Sequence, residues 1–435
     1  MVMINTGPII VPNPRQLMNS LRSIGYDFSQ AVADLIDNSI DAGAKKIIID
    51  VEFDGDHSRV RITDDGRGMS PDELQEAMRY GSNPKCENIQ YMGKFGLGLK
   101  TASLSQCQCM SVASRNDPNQ EFQAYCWDLN YIEKTDKWQL TIPDSPAKFK
   151  GTSDLPATGT IVLWERLDRM LNMAHPYGDT ARKRLLNLCR DLEDHLAMVF
   201  HRFLSGKVPG KKVILILNNN IIEPWDPFVE HEKETQKLET KIIQLNHNGC
   251  TDDVILEPYI LPHQKKFSSP DAFEKASGPK KWNRQQGFYI YRSDRLIQSG
   301  GWSRIRTNDE HTKLARVALS FSPILDDAFN INIAKMRVQM PPELVDKIGK
   351  MLVPYIKQAK LTYDRNEHHA PVVVNPPAPI PPQPIPPRPP EPPRPQSQKL
   401  WKLDELEREL EVISCQREKE VIREVFNRFR NRNQH

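Results

Sequence analysis

Residues 29–42 read SQAVADLIDNSIDA and are closed by Gly43. Val32, Leu35, Ile36 and Ile40 recur at helical spacing, so the stretch predicts a helix that packs one apolar face on a core and ends at a glycine. Asp34, Asp37, Asn38 and Asp41 fall at i, i+3, i+4 and i+7 and form a second stripe that is wholly polar. Taken alone, such a stripe is a solvated helix face. Three carboxylates stacked with an amide nevertheless repel one another unless a polar or cationic group lies among them, and a metal-bound nucleotide meets that need.

Downstream, Ile47, Ile49, Val51 and Phe53 alternate as in a strand, and a turn at Asp54-Gly55 leads to a second strand at about 60–63. That strand runs into Asp64-Asp65-Gly66-Arg67-Gly68-Met69. By itself this is a glycine-rich turn between strand and helix. Its functional reading is a carboxylate at a strand end that accepts from an adenine amino group, with two glycines that let the backbone approach the base. Ser70-Pro71-Asp72-Glu73 then has the cap, first-turn proline and capping-box glutamate of a helix start. Residues 93–103, GKFGLGLKTAS, place glycines ahead of a helix, so that backbone amides make a phosphate cradle to which Lys100 adds positive charge. The loop is not a Walker A sequence and follows no Rossmann-like start. Thr158-Gly159-Thr160 leads into a strand at 161–163, where Thr160 shares the hydrogen bonding around an adenine.

These four segments, in this order and spacing, resemble the Bergerat ATP-binding fold of the gyrase, heat-shock chaperone, histidine kinase and MutL proteins, together called GHKL. Asp37-Asn38-Ser39 with Asp41-Ala42-Gly43 is similar to the MutL form of the first segment, and DLIDNS (34–39) to the MORC form. The resemblance implies a pocket for ATP and Mg²⁺ built from Asn38, Asp64, Gly66, Gly68, Met69, Gly93, Gly96, Gly98, Leu99, Lys100, Thr101 and Thr160. In it Asn38 binds the metal, Asp64 binds adenine, and residues 80–98 form a lid. Residues 327–341, DAFNINIAKMRVQMP, resemble the MutL segment that delivers a lysine to the γ-phosphate, here Lys335; YIYRSDRLI (289–297) resembles a strand pair of the second domain of MutL and MORC proteins. One departure stands out. The family places its general base, a glutamate, where this chain has Asp34, one methylene shorter, so ATP hydrolysis is expected to be slow or to work through a bridging water.

The expected fold is therefore α+β: an amino-terminal arm (1–20), a Bergerat-type α/β sandwich (21–178), and a second, transducer-like (S5-like) αβ domain (179–363). A helix is expected at about 179–204, and strands at 213–217, 287–291 and 328–338. Residues 364–398 form a proline-rich linker, and 399–435 a helix suited to a coiled coil or to docking. The net charge of +3 on 435 residues decides little about partners, and no apolar run approaches the length of a membrane span. The amino terminus lacks a signal-peptide pattern, which leads us to expect a cytoplasmic protein. Seven cysteines without paired CxxC spacing argue against a zinc site or disulfide framework, and Cys107 and Cys109 are expected to pack on one strand face.

About 28 residues precede the first segment, too few for a kinase phosphoacceptor hairpin, and the tail has no room for a topoisomerase cleavage domain or a full MutL dimerisation domain. The resemblance is thus greatest to compact MORC-like ATPases. It implies an ATP-dependent homodimer that holds DNA through basic groups such as Lys211, Lys212, Lys265, Lys266, Arg304, Arg306 and above all Lys280-Lys281-Trp282-Asn283-Arg284. The alternative is a nucleotide-dependent switch or chaperone-like subunit whose proline tract and tail helix recruit a protein partner.

Overall fold

The computed structural model describes residues 11–23, 25–81, 98–143, 149, 155–331 and 338–367. Gly93, Gly96, Lys335, the proline-rich tract and the tail helix lie outside them. The strands are β1 (Lys46–Glu52), β2 (Arg59–Asp64), β3 (Cys109–Arg115), β4 (Gln123–Asp128), β5 (Gly159–Glu165), β6 (Ile214–Leu217), β7 (Asn220–Ile221), β8 (Gln236–Lys237), β9 (Lys241–His247), β10 (Cys250–Ile260), β11 (Gly287–Arg292), β12 (Arg295–Ser299) and β13 (Ala315–Phe321). The helices are α1 (Pro14–Arg22), α2 (Phe28–Asp41), α3 (Pro71–Met78), α4 (Gly98–Leu104), α5 (Leu129–Thr135), α6 (Asp179–Val199), α7 (His201–Leu204), α8 (Pro270–Ser277), α9 (Lys281–Gln285) and α10 (Pro342–Glu367).

α2 begins one residue before the sequence suggests, because Asp27 caps it. The Asp27 carboxylate accepts from the Gln30 N–H and the Gln30 side chain returns to the Asp27 N–H, a reciprocal cap worth about 1 kcal/mol. Val32, Leu35, Ile36 and Ile40 are buried as expected, and each contributes roughly 1.5–3 kcal/mol relative to exposure. Gly43, at φ +78°, ends the helix, with its N–H on the Ile40 carbonyl and that of Ala44 on the Ser39 carbonyl.

Two sheets divide the described chain. The first runs β4-β3-β5-β2-β1-β6-β7, the second β12-β11-β13-β10-β8, with β9 also paired to β10. Antiparallel register sets Asp64 of β2 opposite Ile47 on one side and opposite Thr160 of β5 on the other, so two of the sequence segments meet at one end of the sheet. The alternating residues Ile47, Ile49, Val60 and Ile62 are buried in the core shared with α2. A smaller cluster of Ala113, Phe149, Ile161 and Leu163 lies apart from that core.

Four expectations need correction. The strand at 213–217 does not join the second sheet: β6 pairs in parallel with β1, Lys46 opposite Ile214, because α6 and α7 supply the long crossover that a parallel pair requires. The helix expected to run unbroken to residue 204 is divided at Phe200 (φ −103°, ψ 14°), whose ring is fully buried. The described part of the strand expected at 328–338 is a turn; it stacks Phe329 on Phe321 with ring centroids 4.0 Å apart, and residues 332–337 lie outside the described ones. Cys107 also lies before β3 rather than on it, and its thiol donates to the Ser103 carbonyl.

The second core joins the faces of β10, β11 and β13 to α10 through Leu344, Ile348, Leu352 and Ala359. α3 starts with the capping box predicted at Ser70 and Glu73. At its other end the last carbonyls find donors: the Lys100 ammonium reaches those of Ala77 and Arg79, 2.8 Å each, and the Trp127 indole N–H that of Met78, 2.9 Å.

Candidate functional site

The polar stripe of α2 is not solvated along its length. Asp34 is 3 % and Asp37 0 % exposed, whereas Asn38, one residue on, is exposed. The group that lies between the two carboxylates is a cation from the second sheet. Arg295 Nη2 is 3.2 Å from Asp34 Oδ1 and its Nε 3.1 Å from Asp37 Oδ1. The β11–β12 hairpin presents it: Ser293 and Asp294 both take positive φ, which suits a two-residue turn, and Asp294 is held at 2.9 Å by Arg202 of α7. Neighbouring Arg292 is paired at 2.6 Å to Asp326, leaving Arg295 to extend toward α2.

The other oxygen of Asp34 accepts from the Tyr26 hydroxyl at 2.8 Å. Burial, and then the adjacent Asp34 charge, push the Tyr26 pKa well above its ordinary value, so the hydroxyl keeps the proton it donates. Thr101 of α4 also hydrogen-bonds Tyr26, and a Cβ on Gly98 would come within 3.8 Å of Asp34 Oδ2. The start of α4 thus borders Asp34, as the sequence motif requires.

At the end of β2, Asp64 is buried and accepts from the Ser39 hydroxyl at 2.9 Å, the Gly66 N–H at 2.9 Å and the Thr160 N–H at 3.3 Å. Desolvation raises its pKa, and those three hydrogen bonds oppose the rise. Gly68, at φ +66°, passes so close to the Arg115 carbonyl that a Cβ would lie 1.9 Å from it. The Met69 N–H donates to Ser114, whose hydroxyl also bonds Thr160. Asp64, Gly66, Gly68, Met69 and Thr160 therefore form one hydrogen-bonded group at the sheet end. Asp34, Asn38, Gly98, Leu99 and Thr101 lie on α2 and α4, which pack together. These residues fit a nucleotide: a buried carboxylate keeps lone-pair capacity for an amino group, and an exposed amide carbonyl on the same helix suits a metal that retains most of its waters.

Two readings do not hold. Lys100, read as a cation on the phosphate side, is 1 % exposed and spends its ammonium on the α3 carbonyls; burial lowers its pKa to about 8. The 280–284 motif is no open basic loop: Lys280 bonds the Ser299 carbonyl and hydroxyl, Lys281 pairs with Glu274, and Trp282 stacks on Phe273 at 4.6 Å. The sequence reading missed Tyr26, Ser39, Ser114 and Arg295. Only Arg295 carried a signal, a charge among the apolar residues of a strand pair already singled out.

This sheet-and-helix arrangement, with the site at the end of β2, defines the protein as one with a GHKL-type nucleotide domain. Residues 26–156 match the family described as histidine kinase-, DNA gyrase B-, and HSP90-like ATPase, and belong to the GHKL superfamily. Relatives include the DNA mismatch repair protein MutL of Herminiimonas arsenicoxydans, 28 % identical over 45 % of this chain and 29 % of the relative. MutL of Neisseria meningitidis serogroup A is 32 % identical over 53 % and 34 %. Protein MICRORCHIDIA 6 of Arabidopsis thaliana is 23 % identical over 61 % and 46 %. The chain thus spans less than half the length of each of these relatives. Among the described residues no helix is long and apolar enough to cross a membrane.

Proposed function

We propose that this chain binds ATP with Mg²⁺ and hydrolyses it slowly, and that nucleotide binding closes a homodimeric clamp on DNA. The observation that carries the nucleotide reading is the pair of carboxylate centres, Asp34 beside the start of α4 and Asp64 beneath Gly66 and Thr160. Asp64 accepts from the adenine amino group, with Gly66, Gly68, Met69 and Thr160 around the base. Asn38 offers its carbonyl to Mg²⁺. Gly93, Gly96, Gly98, Leu99 and Thr101 line the triphosphate, and Lys335 reaches it from the second domain. Bound Mg-ATP supplies the phosphoanhydride bond and neutralises its charge.

Asp34 is the general base. Tyr26 donates to one of its oxygens and Arg295 to the other, which holds the carboxylate beside the start of α4, where the attacking water would lie. The DNA reading draws on the name carried by the MutL relatives and on exposed basic groups such as Lys211 and Lys212. The proline-rich tract favours a second reading, recruitment of a protein partner through that tract and the tail helix.

The deciding experiment is salt-resistant retention of closed circular against linearised DNA, with Mg²⁺ and a non-hydrolysable ATP analogue. Retention of circles alone supports the clamp. Retention of neither, even at low salt, removes DNA and leaves the protein-partner reading.

A further inference from the structure

We infer that Arg295 is a positioning residue for Asp34, and that through it the β11–β12 hairpin and the nucleotide site act as one unit; this rests on the ATPase reading above. Arg295 Nη2 and Nε are 3.2 and 3.1 Å from Asp34 and Asp37, and all three side chains are no more than 5 % exposed. A buried carboxylate pair on adjacent turns of one helix is unfavourable without a cation between them, and the guanidinium is a cation placed there. Its planar fork also fixes direction. With Arg295 on Oδ1 and Tyr26 on Oδ2, the Asp34 carboxylate is held from two sides, one of them on the second sheet.

The hairpin that carries Arg295 is itself held. Arg202 pairs with Asp294 at its turn, Arg292 pairs with Asp326 beside it, and β11 runs in parallel with β13 in the second core. His195 of α6 lies within the field of Arg295. Burial, and then the charges of Arg295 and Lys280, lower its pKa to about 4, so it stands by as a neutral ring rather than as a rival cation. A change at the Asp34 end is therefore transmitted to the second sheet through the Arg295 guanidinium, and displacement of the hairpin withdraws a group that aims Asp34.

The test uses the full chain and three measurements on wild type, Arg295→Gln and Arg295→Lys: calorimetric affinity for a non-hydrolysable ATP analogue with Mg²⁺, ATP turnover, and hydrogen exchange of residues 287–299 with and without the analogue. In wild type the analogue should slow exchange across 287–299. Arg295→Gln should keep its affinity within about threefold, lose that protection, and turn over at least about tenfold more slowly, the pattern of a lost orienting interaction. Arg295→Lys keeps the charge without the fork and should lie between the two; it carries the test if the glutamine variant fails to fold. Protection and turnover unchanged in Arg295→Gln, or in Arg295→Lys where only that variant folds, would overturn the inference while leaving the ATPase reading intact. A wild type that binds no analogue would remove the ATPase reading itself, and the inference with it.

Discussion

Arg295 Nη2 lies 3.2 Å from Asp34 Oδ1 and joins two residues 261 positions apart in the chain. The helix stripe that looked self-repelling in sequence is thus balanced by a cation from a different sheet. Because Asp37 shares that cation, loss of the Asp34 charge does not strand the arginine.

Asp34→Asn should therefore fold and bind an ATP analogue with little change, while ATP turnover falls by about 10²–10⁴, the scale of a lost general base. Steady-state hydrolysis alongside calorimetry checks both halves. Unchanged turnover would assign the base elsewhere.

Asn38→Ala removes the exposed amide carbonyl of α2 without touching its buried face. Analogue affinity in the presence of Mg²⁺ should drop at least about tenfold, with much less change when EDTA replaces the metal. Equal affinity in Mg²⁺ would withdraw the metal assignment.

Asp64 accepts from an adenine amino group most strongly when ionised, and burial holds its pKa above the ordinary carboxylate value. Acidification should consequently weaken nucleotide binding at a higher pH than an exposed aspartate would. In Asp64→Asn the amide carries no charge and does not titrate, so binding should be about 10–100-fold weaker and should lose that pH-dependent component. Parallel pH profiles for the two proteins would remove Asp64 from the adenine contact.

His201 is buried at 1 % exposure, lies 2.8 Å from the Tyr291 hydroxyl, and has its pKa lowered by burial to about 3. Below its ordinary value of 6.5 the unfolded chain takes up a proton that the folded chain refuses until about pH 3, so stability should fall as pH drops through that window. The limit for one such group is about 1.4 kcal/mol per pH unit. His201→Gln, which retains a hydrogen-bonding group but does not titrate, should show a shallower fall in denaturant midpoint between pH 6.5 and 4.5. Equal slopes would mean that His201 is protonated in the folded protein.

Local signals were legible in the sequence. The α2 apolar face, the Ser70–Glu73 capping box and the β1 and β2 alternation depend on neighbours a few residues away, and Asp64 at a strand end needed only the turn that follows. What escaped the reading was set by distant partners. Nothing in residues 213–217 says which sheet accepts them, since the choice depends on where the α6 crossover returns the chain. Lys100 has the same neighbours in sequence whether it faces a phosphate or the end of α3; only the packing of α4 against that helix decides. Arg295 finds Asp34 through a hairpin whose direction is fixed by Arg202 and Asp294.

The bonds from Lys100 to the Ala77 and Arg79 carbonyls have a consequence for how this domain tolerates change. They tie residue 79 to residue 100, the two flanks of the segment that contains Gly93 and Gly96, at a single point. A chain segment with fastened ends has already lost most of its closure entropy, and doubling its length adds only about 0.6 kcal/mol. Insertions between residues 81 and 92, ahead of the third segment, should therefore cost the fold little. The spacing between the second and third sequence segments is free to drift during evolution, whereas the spacing within each is fixed by the atoms it must present.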